Sequence, residues 1–164
     1  MEELLLRYFN NLLVMHLDRN EISAQLEIKD PFLLIDEINI DLESNKAISS
    51  KYLTKEDWFY FCHIPSAPVM PATLQIEGML QTLVLLIYNS TDHKLSKSFI
   101  VEAKTKFHKR VYSQPLINYF AELIFNKRGI FKGSVIGKYK KEKICEGIFT
   151  YASPDLMQLP KKTN

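Results

Sequence analysis

Between Thr73 and Tyr88 the sequence is almost continuously apolar, with Leu74, Ile76, Met79, Leu80, Leu83, Val84, Leu85, Leu86 and Ile87 spread around every face of a helix. Pro71 suits the first turn, where its missing N–H would have no intrahelical partner, and Asn89 and Ser90 end the run. A helix that is apolar all round has to be enclosed. The run is short for a membrane span and carries Gln75, Glu77 and Gln81, which argues against a bilayer as the enclosure. The rest of the chain must therefore supply the cover.

The cover reads as strands. In SFIVEAKTKF, Phe99, Val101, Ala103, Thr105 and Phe107 alternate with Ile100, Glu102, Lys104 and Lys106, a period of two. PLINYFAELIF (115–125), FKGSVIGKY and EKICEGIFTY continue the pattern, and NKRG (126–129) is a turn in which Gly129 can take a positive φ. Upstream, ISAQLEI (22–28), DPFLLIDEINI (30–40) and residues 47–53 read as strands, with LESN (42–45) a turn and EDWFYFCHIP an aromatic segment broken by Pro65. Short connections favour an antiparallel meander. The expectation is an α+β domain in which a curved antiparallel sheet wraps around one long central helix. A chain of 164 residues has room for one such domain and hardly two. Leu4, Leu5, Tyr8, Phe9, Leu12 and Leu13 recur at helical spacing and predict a packed helix before it, and the polar tail from Ser153 is expected to be loose.

Several function classes are disfavoured. A net charge of +2 is too weak to argue for nucleic acid. Cys62 and Cys145 give neither a disulfide framework nor a zinc spacing, which fits a reducing, cytoplasmic setting. The first residues lack a basic stretch and a small-residue cleavage site, so no signal peptide is expected. The basic blocks KTKFHKR (104–110) and KYKKEK (138–143) suit solvated strand edges, or a docking surface for an acidic partner.

One stretch fits neither cover nor core: HIPSAPVMPATLQIEGMLQ (63–81) places a histidine before a proline-studded loop and a glutamate inside the apolar helix. A buried carboxylate is costly unless something pairs with it or uses it. The stretch resembles the signature of the hotdog-fold 3-hydroxyacyl-(acyl-carrier-protein) dehydratases, roughly GHFPGxPVMPGVLxxEAMxQ. DPFLLIDEI resembles the family's PFLLVDRV, and FIVEAKTKFHKRVYSQPL its later strand and loop. The resemblance covers about residues 30–152 and implies a dehydratase-like domain there, with 1–29 an N-terminal extension and 153–164 a tail.

By that resemblance His63 is the catalytic base, Glu77 the catalytic acid, and the Ala72 N–H faces the thioester carbonyl. Gln81, one turn beyond Glu77, supports it. Met70, Pro71 and Phe59 would line an acyl tunnel, with plain packing the competing reading for Met70 and Phe59. Lys106, His108, Lys109 and Arg110 would meet the acyl carrier protein or the phosphate of its phosphopantetheine arm. Histidine and acid of each site come from different subunits in the family, which implies a homodimer, in some members a trimer of dimers. No metal or organic cofactor is implied. The departures are Cys62, Ser66 and Ala72 at family glycines, Ile64 at a phenylalanine, and Ile28 where a histidine is frequent.

The chemistry stands without the resemblance. Histidine can take a proton next to a carbonyl, typically worth about 10²–10⁴-fold. A carboxyl in an apolar helix has its pKa raised by desolvation, so it can stay protonated and donate to a leaving hydroxyl. Helix N-terminal N–H groups can hold an enolate oxygen. Competing expectations are a thioesterase in which a carboxylate activates water, a non-catalytic acyl-binding subunit, and an isomerising dehydratase. A Cys62–His63 dyad is disfavoured if both lie on a strand, where neighbours point apart.

Overall fold

In chain order the computed structural model runs β1 (Val14–Leu17), α1 (Arg19–Leu26), β2 (Glu37–Asp41), β3 (Lys46–Tyr52), α2 (Phe59–Cys62), α3 (Ala72–Asn89), β4 (Phe99–Phe107), β5 (Leu116–Lys127), β6 (Ile130–Tyr139), β7 (Glu142–Ala152) and a 3-10 turn at Pro154–Leu156. It describes residues 14–91, 98–112 and 116–157. The helix expected over Leu4–Leu13 lies outside them.

The strands form one seven-stranded antiparallel sheet in the order β1-β2-β3-β5-β6-β7-β4. α3 packs across β5, β6, β3, β7 and β2, and Met79, Leu83, Leu85, Leu86 and Ile87 are wholly buried between helix and sheet. The apolar run is thus enclosed by the protein's own strands, as its composition demands. No helix among the described residues is long and apolar enough to cross a membrane.

The meander holds only for β5-β6-β7. Arg128 (φ 51°) and Gly129 (φ 76°) make the two-residue β5–β6 turn, whose paired positive φ values match the twist of the strands. A Cβ on Gly129 would also lie 2.6 Å from Ser153 O. β4 instead lies at the far edge beside β7, while β5 pairs with β3 and β6.

Three local expectations are corrected. ISAQLEI contributes to a helix: Asp18 accepts from Asn20 N–H and Glu21 N–H, and Glu21 Oε2 accepts from Asp18 N–H. This reciprocal cap overrides the weak strand propensity of the segment. DPFLLID is a loop, and the strand begins at Glu37. Leu33, Leu34 and Ile35 are buried, but their backbone groups are taken by side chains: Arg19 donates to Leu33 O and Ile35 O, and Gln81 accepts from Leu34 N–H. Arg19 also pairs with Asp30 and Asp36. Finally, the segment before His63 is the short helix α2. Cys62 Sγ donates back toward Trp58 O and Phe59 O, so helical geometry, not strand alternation, directs it away from His63.

β4 departs from its expected single apolar face. A bulge between Ile100 and Glu102 breaks the alternation, and Phe99, Ile100, Val101 and Phe107 are all exposed. β4 is an edge strand with apolar side chains on both faces, an arrangement that monomers normally avoid. Ser153 is buried, with its N–H on Gly129 O (2.7 Å) and its hydroxyl 2.7 Å from Ser98 Oγ.

Candidate active site

His63 caps the C-terminus of α2, its N–H donating to Phe59 O at 2.9 Å. Its Nδ1 lies 2.8 Å from Val69 O. A carbonyl can only accept, so Nδ1 carries the hydrogen, and Nε2 is the nitrogen left to exchange a proton. The loop between them turns back through Ile64 (φ 53°). A β-branched residue in the left-handed region is strained, and such strain persists only where the surroundings fix it. The positive φ falls on Ile64 rather than on the former glycine positions Ser66 and Ala72. The far end of the loop is tied down by Met70 N–H on Val111 O at 2.7 Å.

The His63 cavity, about 340 Å³, is lined by His63, Val69, Met70, Ala72, Gln75 and Phe107 through Arg110. Ala72 opens α3, where no side chain caps the helix, so the first N–H groups and the positive end of the helix dipole face a site that favours negative charge. Of the basic residues here, His108 pairs with Glu146 (2.8 Å) and Lys109 with Glu142 (2.7 Å). Arg110 lines the cavity and makes no ion pair among the described residues. Lys106 faces a different hollow, on β4, β6 and β7.

Glu77 sits five residues beyond Ala72, roughly 140° around the helix and ~7.5 Å along it. It opens into a second cavity of about 360 Å³ whose apolar wall includes Ile28, Leu80, Val84, Phe99, Ile100 and Tyr151. Burial pushes its carboxyl up from the usual 4.5, partly offset by a hydrogen bond from Gln81. Gln81 is fixed by three bonds: Nε2 to Glu77 Oε1 (2.9 Å) and to Phe32 O (2.8 Å), and Oε1 from Leu34 N–H (2.9 Å).

The structure thus gathers His63, Ala72 and Met70 at one cavity and Glu77 with Gln81 at another. Pro71 is the N-cap of α3, and Phe59 is core, its ring 4.5 Å from that of Tyr60; neither lines either cavity. Sequence reading missed Gln75, whose i, i+3 spacing from Ala72 was the available signal. It also missed the Val69 carbonyl, which no side-chain pattern reveals.

The sequence matches the FabA-like domain family over residues 27–147. A 3-hydroxyacyl-(acyl-carrier-protein) dehydratase FabZ of Geotalea uraniireducens is 34% identical over 126 residues, 74% of this chain and 85% of that one. The enzyme of the same name from Petrotoga mobilis is 32% identical over 125 residues, 76% of this chain and 88% of that one. Among solved structures, a mutant thioesterase of Pseudomonas aeruginosa shares the fold with a TM-score of 0.64 at 13% identity, over 83% of this chain and 93% of that one.

Proposed function

Because the chain belongs to the FabA-like family of hotdog-fold dehydratases, we propose that two copies of it form a pair of equivalent sites in which a 3-hydroxyacyl thioester on acyl carrier protein loses water. The observation that carries this reading is the division of labour across α3. His63, its Nδ1 on a backbone carbonyl, lies on one side, and Glu77, a carboxyl whose pKa burial raises, lies on the other. Within one chain the two line different cavities. A second copy related by a twofold axis can bring them together, by pairing across the exposed edge of β4, whose Phe99 and Ile100 wall the Glu77 cavity. This pairing would cover the apolar side chains of β4 and continue the sheet.

In such a site His63 Nε2 removes a proton from C2 of the acyl group. The electron pair moves into the thioester, and the charge on its oxygen is met by the Ala72 N–H at the head of α3. Glu77 of the other copy gives its proton to the 3-hydroxyl, the C3–O bond breaks, and water leaves. The product is the trans-2-enoyl thioester. His63 ends protonated and Glu77 ionised, and exchange with solvent resets both. The reaction balances with no redox cofactor. Arg110 in the lining of the His63 cavity suits the phosphate of a phosphopantetheine arm or an acidic carrier surface.

The test is incubation of a 3-hydroxyacyl carrier-protein thioester with the protein, followed by mass spectrometry. Loss of one water from the acyl group, abolished by His63→Ala, is expected. Release of free acid would replace this reading with hydrolysis. A bound but unchanged thioester would leave an acyl-binding subunit.

A further inference from the structure

Gln75 is 3% exposed, yet its carboxamide makes no hydrogen bond among the described residues. Its Oε1 is fully enclosed without a partner. Buried polar side chains are nearly always satisfied, so an exception demands a reason. Gln75 contrasts with Gln81, six residues on, whose amide has every end occupied. It is also not a packing accident at a surface, since the residues beside it, Leu74, Gly78 and Met79, are all buried.

Its place in the site supplies the reason. Gln75 lines the His63 cavity together with Ala72, three residues and roughly 60° away on the same face of α3. Oε1 is the fully enclosed end of the amide, so the NH2 end carries what little surface the side chain keeps, and Gln75 lines the cavity. Two kinds of donor therefore converge there: the uncapped backbone N–H groups at the head of an 18-residue helix and an unengaged side-chain NH2. What such a pair lacks is an acceptor. Resting on the dehydratase reading, we propose that Gln75 is a second oxyanion donor, its NH2 joining the Ala72 N–H on the thioester oxygen of the substrate.

Ala72 adds a methyl group at the helix start where the resembling signature has glycine. A side-chain donor placed one turn deeper gives the oxygen a second hold if that methyl group shifts the thioester. The role predicts a particular imbalance. A donor aimed at charge that develops during reaction acts on kcat more than on KM. A merely structural glutamine would alter stability and leave the electronic state of a bound carbonyl untouched.

The experiment uses the full chain with a trans-2-enoyl pantetheine thioester labelled with ¹³C at the carbonyl, bound to the Glu77→Gln protein so that turnover is slow on the timescale of the spectra. Infrared difference spectra read the carbonyl stretch, with Gln75→Leu and Gln75→His added in turn. Hydrogen-bond donation lowers the stretch. Gln75→Leu is expected to lose part of the downshift and Gln75→His to retain more of it. In the Glu77 background restored to wild type, kcat of Gln75→Leu should fall about 10²-fold with KM within about threefold. An undiminished downshift in Gln75→Leu, with melting temperature unchanged, would overturn the proposal. A wild-type protein that binds the enoyl thioester yet removes no water from the 3-hydroxyacyl form would instead defeat the dehydratase reading, whatever Gln75 does to the spectrum.

Discussion

Gln81 donates from Nε2 to Glu77 Oε1 at 2.9 Å, and the Leu34 N–H, 2.9 Å from Gln81 Oε1, settles which end of the amide faces the carboxyl. A backbone N–H can only donate, so the oxygen of Gln81 must turn to Leu34 and its NH2 to Glu77. Oε1 of Glu77 is held as an acceptor, which leaves Oε2 as the oxygen free to carry a proton. In the proposed role of Glu77 as the acid, kcat should fall at high pH as its raised pKa is passed. The Gln81 bond lowers that pKa. Gln81→Met should therefore move the alkaline limb of the kcat profile to higher pH. An unmoved limb would mean that some other group titrates.

The same carboxyl sets a pH dependence of stability. Its folded pKa lies above the usual 4.5 because burial disfavours the ion. The unfolded chain then ionises first, so stability is full below about 4.5 and is lost as pH rises toward and through the folded value. Glu77→Gln removes this term. Urea midpoints of variant and wild type should agree near pH 4 and separate in favour of the variant by pH 8. Parallel curves across that range would refute the linkage.

Subunit mixing tests whether the site is shared. His63→Ala and Glu77→Gln should each lose about 10²–10⁴-fold of activity alone. In a mixed dimer one site receives both defects and the other receives none. Random mixing should restore about a quarter of wild-type turnover, since half of the dimers are mixed and each has one intact site of two. A site contained within one chain would give no recovery.

Gly78 is required by Tyr119. A Cβ at Gly78 would lie 2.7 Å from ring carbons of Tyr119 and 2.8 Å from its hydroxyl, and that ring is wholly buried. Gly78→Ala should cost about 1–3 kcal/mol by overpacking, seen as a lowered urea midpoint. Tyr119→Val in the same chain should recover part of the loss, whereas a merely helix-weakening glycine would make Gly78→Ala stabilising.

The basic residues around the His63 cavity should differ in effect. His108 and Lys109 are engaged by Glu146 and Glu142, whereas Arg110 is not. Arg110→Ala should raise KM several-fold for carrier-protein substrates and leave short thioesters lacking the phosphate unaffected. Lys109→Ala, which breaks an exposed pair, should change stability by under about 1 kcal/mol. Equal effects of both variants on carrier-protein KM would point to a diffuse field rather than one contact.

Much of this was legible in the sequence. The unbroken apolar run from Leu74 to Ile87 required a wrapped helix, and the period-two runs that follow named the wrapper. His63 and Glu77 stood out because polar residues in apolar surroundings demand an explanation. What escaped was held by single hydrogen bonds or by long-range choice. The Asp18–Glu21 cap turned a β-branched segment into α1. Arg19 and Gln81 turned Pro31–Asp36 into a loop by taking up its backbone groups. The far-edge position of β4 depends on a crossing link whose path no local pattern encodes. The separation of Ala72 and Glu77 around α3 was implicit in their five-residue spacing, but two cavities instead of one became visible only with the sheet in place.

Arg19 lies outside the span that matches the family, yet its guanidinium holds Leu33 O and Ile35 O. The loop it holds presents Phe32 O and Leu34 N–H to Gln81, and Gln81 in turn faces Glu77. A transplant of residues 27–147 into another scaffold would leave that arginine behind. Change in the least recognisable part of the chain can reach the Glu77 carboxyl without altering a cavity wall, a freedom that a comparison confined to shared motifs would overlook.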